Sequence, residues 1–259
     1  MSSVGLFATH VRYVNRAFWR NPAAAFFTLA FPLIFLVLFS VLFGNQPAHA
    51  AGQQLQGATF TLAAILTFSV IGACYTNIAI GVTFARENGV LKRLRGTPLP
   101  GATYLAARIG HAMLIALLLV LISCAFDALA YRVNIPGHSL PALLATLLAG
   151  AVCFSALGLA ITAVIPNADA SPAVVNALLF PLLFVSNVFI PINHPAGWLN
   201  TLTSIFPVKP FGAALKHALV PGASSGFSGG DLLALAVWGL LGVIIAVRFF
   251  SWEPRQQPG

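Results

Sequence analysis

An all-α fold that crosses a membrane several times is predicted for this chain from three observations. Hydrophobic residues make up 59% of it and charged residues only 7%, too few to build a polar exterior for water. The apolar residues gather into six runs near the length a helix needs, roughly 20 residues, to cross a hydrocarbon core about 30 Å thick. The basic residues stand at the ends of those runs rather than along them. No alternation of period two marks a closed barrel, so the backbone can satisfy its own polar groups in lipid only as helices.

Residues 4–20 come first. Phe7, Val11, Val14 and Phe18 fall on one stripe, with Arg12, Arg16 and Arg20 opposite and Trp19 between. That pattern predicts a helix lying flat on the inner leaflet, ended by Asn21-Pro22. The six runs are Ala23–Phe43, Ala58–Thr83, Tyr104–Leu129, Leu140–Ile165, Ala173–Ile190 and Leu232–Phe250. The fifth is the shortest and carries Pro181. Ser171-Pro172 reads as its N-cap and first-turn proline, and Asp231 as the cap of the sixth. Between 191 and 231, Trp198, Leu199, Leu202, Ile205 and Phe206 share a face that Pro207 ends. Phe211, Leu215 and Leu219 form a second stripe, with Lys209 and Lys216 on the other side. Those faces predict short helices that dip into the outer leaflet or the top of the bundle, followed by a glycine-rich link at 222–230. The whole is one transmembrane domain over 1–259: an interfacial helix at 1–21, a six-span bundle at 22–250 and a tail at 251–259.

Orientation follows from lysine and arginine. With the N-terminus inside, the inner side holds Arg12, Arg16, Arg20, Arg86, Lys92, Arg93, Arg95, Arg108, Arg248 and Arg255. The outer side holds Arg132, Lys209 and Lys216. Ten against three places both termini in the cytoplasm under the positive-inside rule, and the protein in the cell (plasma or inner) membrane. The same clustering argues against nucleic acid as a partner: the charge of +8 is spent on topology. Cys74, Cys124 and Cys153 lie inside apolar runs and read as free thiols packing as small hydrophobes.

Little catalytic chemistry is present. The acids are Glu87, Asp127, Asp169, Asp231 and Glu253, and only Asp127 falls in a span, where it either pairs with Arg132, meets outer water or serves transport. His111 in the third span is a packing residue or a relay, and the six histidines show no metal-ligand spacing. No serine–histidine pair suits an intramembrane protease. Lys92, Lys209 and Lys216 are followed by Arg, Pro and His, so no phosphate-cradling Gly-Lys-Ser/Thr exists. The expectation is a chain without enzymatic activity, a metal site or a cofactor of its own.

The stretch 84–108 stands apart. It holds five of the thirteen basic residues and one of five acids, between the second and third runs. Phe84-Ala-Arg86-Glu87-Asn-Gly89-Val90-Leu91-Lys92-Arg93-Leu94-Arg-Gly-Thr97-Pro98-Leu99 resembles the inner-loop motif of type-2 ATP-binding-cassette (ABC-2) transporter permeases. Ser186-Asn187-Val-Phe189-Ile-Pro191, then Pro195, Trp198-Leu199 and Pro207, is similar to a second, looser motif of that family. The order of parts matches along nearly the whole chain. Asn187 stands where the family often has glycine, and Lys216-His217 where an arginine often closes the outer segment.

The resemblance implies a permease subunit working with a second permease copy or homologue and two copies of an ABC ATPase subunit, which carries ATP and Mg. It implies outward movement of a hydrophobic or amphipathic cargo: a drug, a lipid or a lipid-linked glycan. It makes the loop an ATPase-coupling element formed by Arg86, Glu87, Gly89, Val90, Leu91, Lys92, Arg93 and Leu94. Val90, Leu91 and Leu94 would fill a groove on the ATPase, while Glu87, Lys92 and Arg93 pair on its rim. A topology loop alone would need charge but neither Glu87, Gly89 nor an apolar arc. The turn at Asn167 and Asp169 lies on the same side and offers either a second ATPase contact or simple helix capping. Ser69, Tyr75, Thr76, Asn77, Asn176, Ser186 and Asn187 either line a cargo pathway between two copies or bond to neighbouring helices. A standalone channel or scaffold, or a proton-coupled carrier, is the alternative.

Overall fold

The computed structural model describes residues 3–44, 47–50, 53–96, 101–132, 137–186, 188, 203–219 and 226–251. Helix α1 is Ser3–Trp19 and α2 is Pro22–Phe43. A short antiparallel hairpin, β1 Pro47–Ala50 and β2 Gln53–Gln56 with Pro47 opposite Gln56, joins α2 to α3. Then come α3 Gly57–Glu87, α4 Val90–Arg95, α5 Gly101–Ala130 and α6 Leu140–Ile161. Helices α7 Ser171–Val185, α8 Val208–Leu219 and α9 Gly229–Phe249 complete the order. The fold is all-α and polytopic. The hairpin is an addition, for its four-residue strands carry no alternating apolar signal.

Among the described residues five helices are long and apolar enough to cross a membrane: α2, α3, α5, α6 with the turn before it, and α9. The fifth expected span is shorter than its apolar run. Helix α7 has 15 residues, about 22 Å, and closes where Ser186 N–H bonds to Leu182 O. Serine competes for backbone bonds and favours helix ends over interiors. Asn187, Phe189, Pro191, Trp198, Leu199 and Leu202 lie outside the described residues.

Helix α1 packs against α5, with Phe7 and Val11 beside Gly110. Phe18 is buried, its ring 5.2 Å from that of His111 on α5, while Arg12, Arg16 and Arg20 are exposed. Asn21 then starts α2, its side-chain oxygen accepting from Ala24 N–H at 3.2 Å, with Pro22 in the first turn.

Helix α3 is the central post. Nearly nine-tenths of its most apolar stretch is buried, against about a fifth for α2 and α9. Thr67 and Thr83 bond their hydroxyls to the carbonyls of Ala63 and Ala79, so neither brings an unpaired polar group to the core. At Gly72–Thr76 the helix widens into a π turn, and α6 comes close to it there. A Cβ on Gly158 would stand 2.8 Å from Tyr75 O, so only glycine permits the approach. Gly150 likewise faces the ring of Phe211, which a Cβ would overlap. On α9, Gly242 fits tightly against Ala156 of α6, and Gly239 lies in ordinary contact with Cys153.

Helix α8 dips into the bundle. Phe211, Ala214, Leu215, Ala218 and Leu219 are buried, and α8 packs on α3, α6 and α9. Its two lysines are not on one open face. Lys209 donates to the hydroxyls of Thr203 (3.3 Å) and Ser204 (3.4 Å), whereas Lys216 sits 4.2 Å from the ring centre of Phe60 on α3. Two caps also differ in detail from expectation. Ser171 is the first residue of α7 rather than its cap and donates to Ala168 O, and Ser228 precedes α9 and donates to Asp231 at 2.6 Å.

Candidate functional site

At 31 residues α3 runs about 46 Å, well beyond a hydrocarbon core of about 30 Å. Its last turn carries Arg86 and Glu87. The chain reverses at Asn88-Gly89. Gly89 has φ +68°, in the left-handed region, where a side chain would be strained. Helix α4 starts there with Arg93 N–H bonded to Gly89 O, and the Arg93 guanidinium donates back to Asn88 O at 3.2 Å.

Six residues make no stable helix alone, so packing must hold α4 in place. Leu91 is fully buried and Leu94 is packed against the core. This corrects the single outward arc expected of Val90, Leu91 and Leu94, since the two leucines anchor the loop to its own chain. The outward face is Val90, Lys92 and Arg93, all exposed.

Arg86 and Glu87 also turn inward in part. Arg86 is only 2% exposed, and its guanidinium donates to Thr162 O at 2.9 Å and Ile165 O at 2.8 Å, at the end of α6. Glu87 accepts from Ala168 N–H in the turn before α7. In that turn Asn167 accepts from Ala170 N–H at 2.8 Å, while Asp169 is exposed. The structure thus brings the 86–94 loop and the 162–170 turn together. Sequence reasoning missed the carbonyls of Thr162 and Ile165 and the amide of Ala168, because backbone partners leave no residue-type signal.

The expected pathway residues are more dispersed. Ser69, Tyr75 and Ser186 are buried within the chain, whereas Thr76, Asn77 and Asn176 are half-buried and Asn187 lies outside the described residues. The hydroxyls of Ser69, Thr76 and Ser186 have no hydrogen-bond partner here, so the expected bonds to neighbouring helices are not what places them. Asp127 is fully buried and accepts from Ser40 of α2 at 3.4 Å; Arg132 stands exposed beyond the helix end, so neither that pairing nor outer water explains the acid.

Residues 6–220 match the model of the family described as ABC-2 type transporter. The chain belongs to that family. The ABC-2 match covers every element from α1 to α8, including the 86–94 loop. Among similar proteins is a putative transport permease ycf38 of Porphyra purpurea, 29% identical over 74% of this chain. The match spans just under two thirds of that relative, 66% of its length. The daunorubicin resistance ABC transporter permease protein DrrB1 of Streptomyces coeruleorubidus is 25% identical over 84% of this chain and 76% of its own. The inner membrane transport permease YadH of Escherichia coli (strain K12) is 25% identical over 89% of this chain and 88% of its own. This ABC-2 chain is accordingly a multi-pass membrane protein.

Proposed function

We propose that the chain is the permease subunit of an ABC exporter, moved by ATP hydrolysis on two separate ATPase subunits that carry the ATP and Mg. The observation that carries this reading is the face of α4. Val90 supplies one apolar contact beside the cations of Lys92 and Arg93, on a helix held to its own chain by Leu91 and Leu94. Such a face suits a groove with an apolar floor and an acidic rim, the charges setting register and encounter more than affinity. Asp169 adds an exposed acid next to it, a second contact of opposite sign.

A second permease copy, or a homologue, completes the assembly. Helices α2 and α9 leave most of their apolar side chains outside the core, including the phenylalanine ladder Phe31, Phe35, Phe39 and Phe43. Such faces suit contact with lipid and with a like chain. The half-buried Thr76, Asn77 and Asn176 are then candidates for the route between copies. The cargo is a hydrophobic or amphipathic molecule carried outward. A relative's name speaks of daunorubicin resistance and supports a drug-like cargo, with a lipid or a lipid-linked glycan as the other members of that class. Both termini lie in the cytoplasm of a plasma or inner membrane, as the ten-to-three distribution of basic residues supports.

Co-purification from cells expressing the chain with its ATPase tests the docking face. Wild type retains the ATPase, and Lys92→Glu with Arg93→Glu lowers its recovery at least tenfold, more so at low salt. Equal recovery by both would remove α4 from the interface.

A further inference from the structure

The neighbours Arg86 and Glu87 carry opposite charges, and each meets the helix end that its charge suits. Arg86 reaches the turn that leaves α6, near the negative end of that helix, and its planar fork bonds Thr162 O, the C-cap residue, and Ile165 O three residues further on. Glu87 lies at the opening of α7, a positive end, and accepts Ala168 N–H. Arg86 is 2% exposed, so its charge is unavailable to a partner. Leu91 and Leu94 tie α4 to the same body. The 162–170 turn is itself closed by Asn167 to Ala170 N–H and Ser171 to Ala168 O.

We propose that Arg86 and Glu87 are positioning residues that weld the α3–α4 loop to the α6–α7 turn, so that a push on α4 moves the inner ends of α6 and α7 with it. This rests on the ATPase-driven reading above, and it removes the buried Arg86 from the set that touches the partner. Force then has two routes into the bundle: along α3 directly, and across the Arg86–Glu87 weld into α6 and α7. Because α6 is packed closely on α9 at Gly242, the second route also reaches α9.

The test uses the permease reconstituted with its ATPase in lipid vesicles, with the half-buried Cys124 replaced by serine. A nitroxide is placed on Asn88→Cys beside α4 or on Val164→Cys in the turn, both exposed positions. A second nitroxide on Val41→Cys, an exposed position near the far end of α2, serves as reference. In the wild-type background, adding Mg-ATP shifts the distance distribution at both 88 and 164. With Glu87→Ala the shift at 88 persists and that at 164 falls by at least half. Arg86→Ala behaves the same way; since Arg86 is buried, the exposed Glu87 variant carries the test if the arginine variant misfolds. An unchanged shift at 164 in Glu87→Ala, or a wild type that moves at 88 but not at 164, overturns the weld. Stillness at both positions during ATP hydrolysis overturns the ATPase-driven reading instead, and the weld's role with it.

Discussion

Leu91 and Lys216 show how single residues take roles opposite to their surface-helix pattern. Leu91 sits in a basic, loop-like segment yet is wholly enclosed. Leu91→Ala should cost about 2–4 kcal/mol of local stability, the usual range for a buried leucine. Hydrogen exchange of the α4 amides checks this and should quicken, while the amides of α5 keep their protection. Lys216 is drawn against Phe60, and burial pushes its ammonium down to about 8. Between about 8 and the ordinary lysine value near 10.5, the unfolded chain binds a proton there that the folded chain does not. Stability should therefore rise with pH across that window, and below it the buried charge is a standing cost. Thermal unfolding in detergent from pH 8 to 10.5 should show a larger rise for wild type than for Lys216→Met, which has nothing to titrate. Equal rises would place the ammonium in water.

At the scale of elements, helix existence was legible and helix ends were not. The runs around α2, α3, α5, α6 and α9 announced themselves because lipid demands long apolar stretches, a constraint visible in residue type alone. The stripe of α1 was equally plain, since Phe18 and the three arginines had to part. Helix α7 stopped short of its apolar run because composition does not show where a backbone bond is surrendered to a turn. The π turn at Gly72–Thr76 was illegible for a related reason. It lies against Gly158 of α6, a neighbour more than eighty residues away in the chain. Gly158→Val should accordingly cut the yield of folded protein severalfold, whereas Gly229→Ala, which meets nothing within 4 Å, should not. Size-exclusion profiles of the two variants check this.

For the whole molecule, the candidate site was half legible. The inner loop was found from its charge and motif, and in the structure Lys92 and Arg93 of α4 are exposed. Which residues face a partner was not legible. Leu91, Leu94 and Arg86 satisfy the chain itself, and their partners are either backbone atoms or core contacts of no distinctive type. The orientation can be read from outside. A membrane-impermeant maleimide should label Gly230→Cys in intact cells and Asn88→Cys only after the membrane is opened, and the reverse would invert the topology. The central claim is that the exposed face of α4 is what a motor subunit holds. A photo-reactive side chain placed in turn at positions 90, 91, 92 and 93, in membranes that contain the ATPase, tests it most directly. The account predicts adducts to the ATPase from 90, 92 and 93 and none from the buried position 91. Adducts from none of the four, or from 91 as readily as from 92, would contradict it.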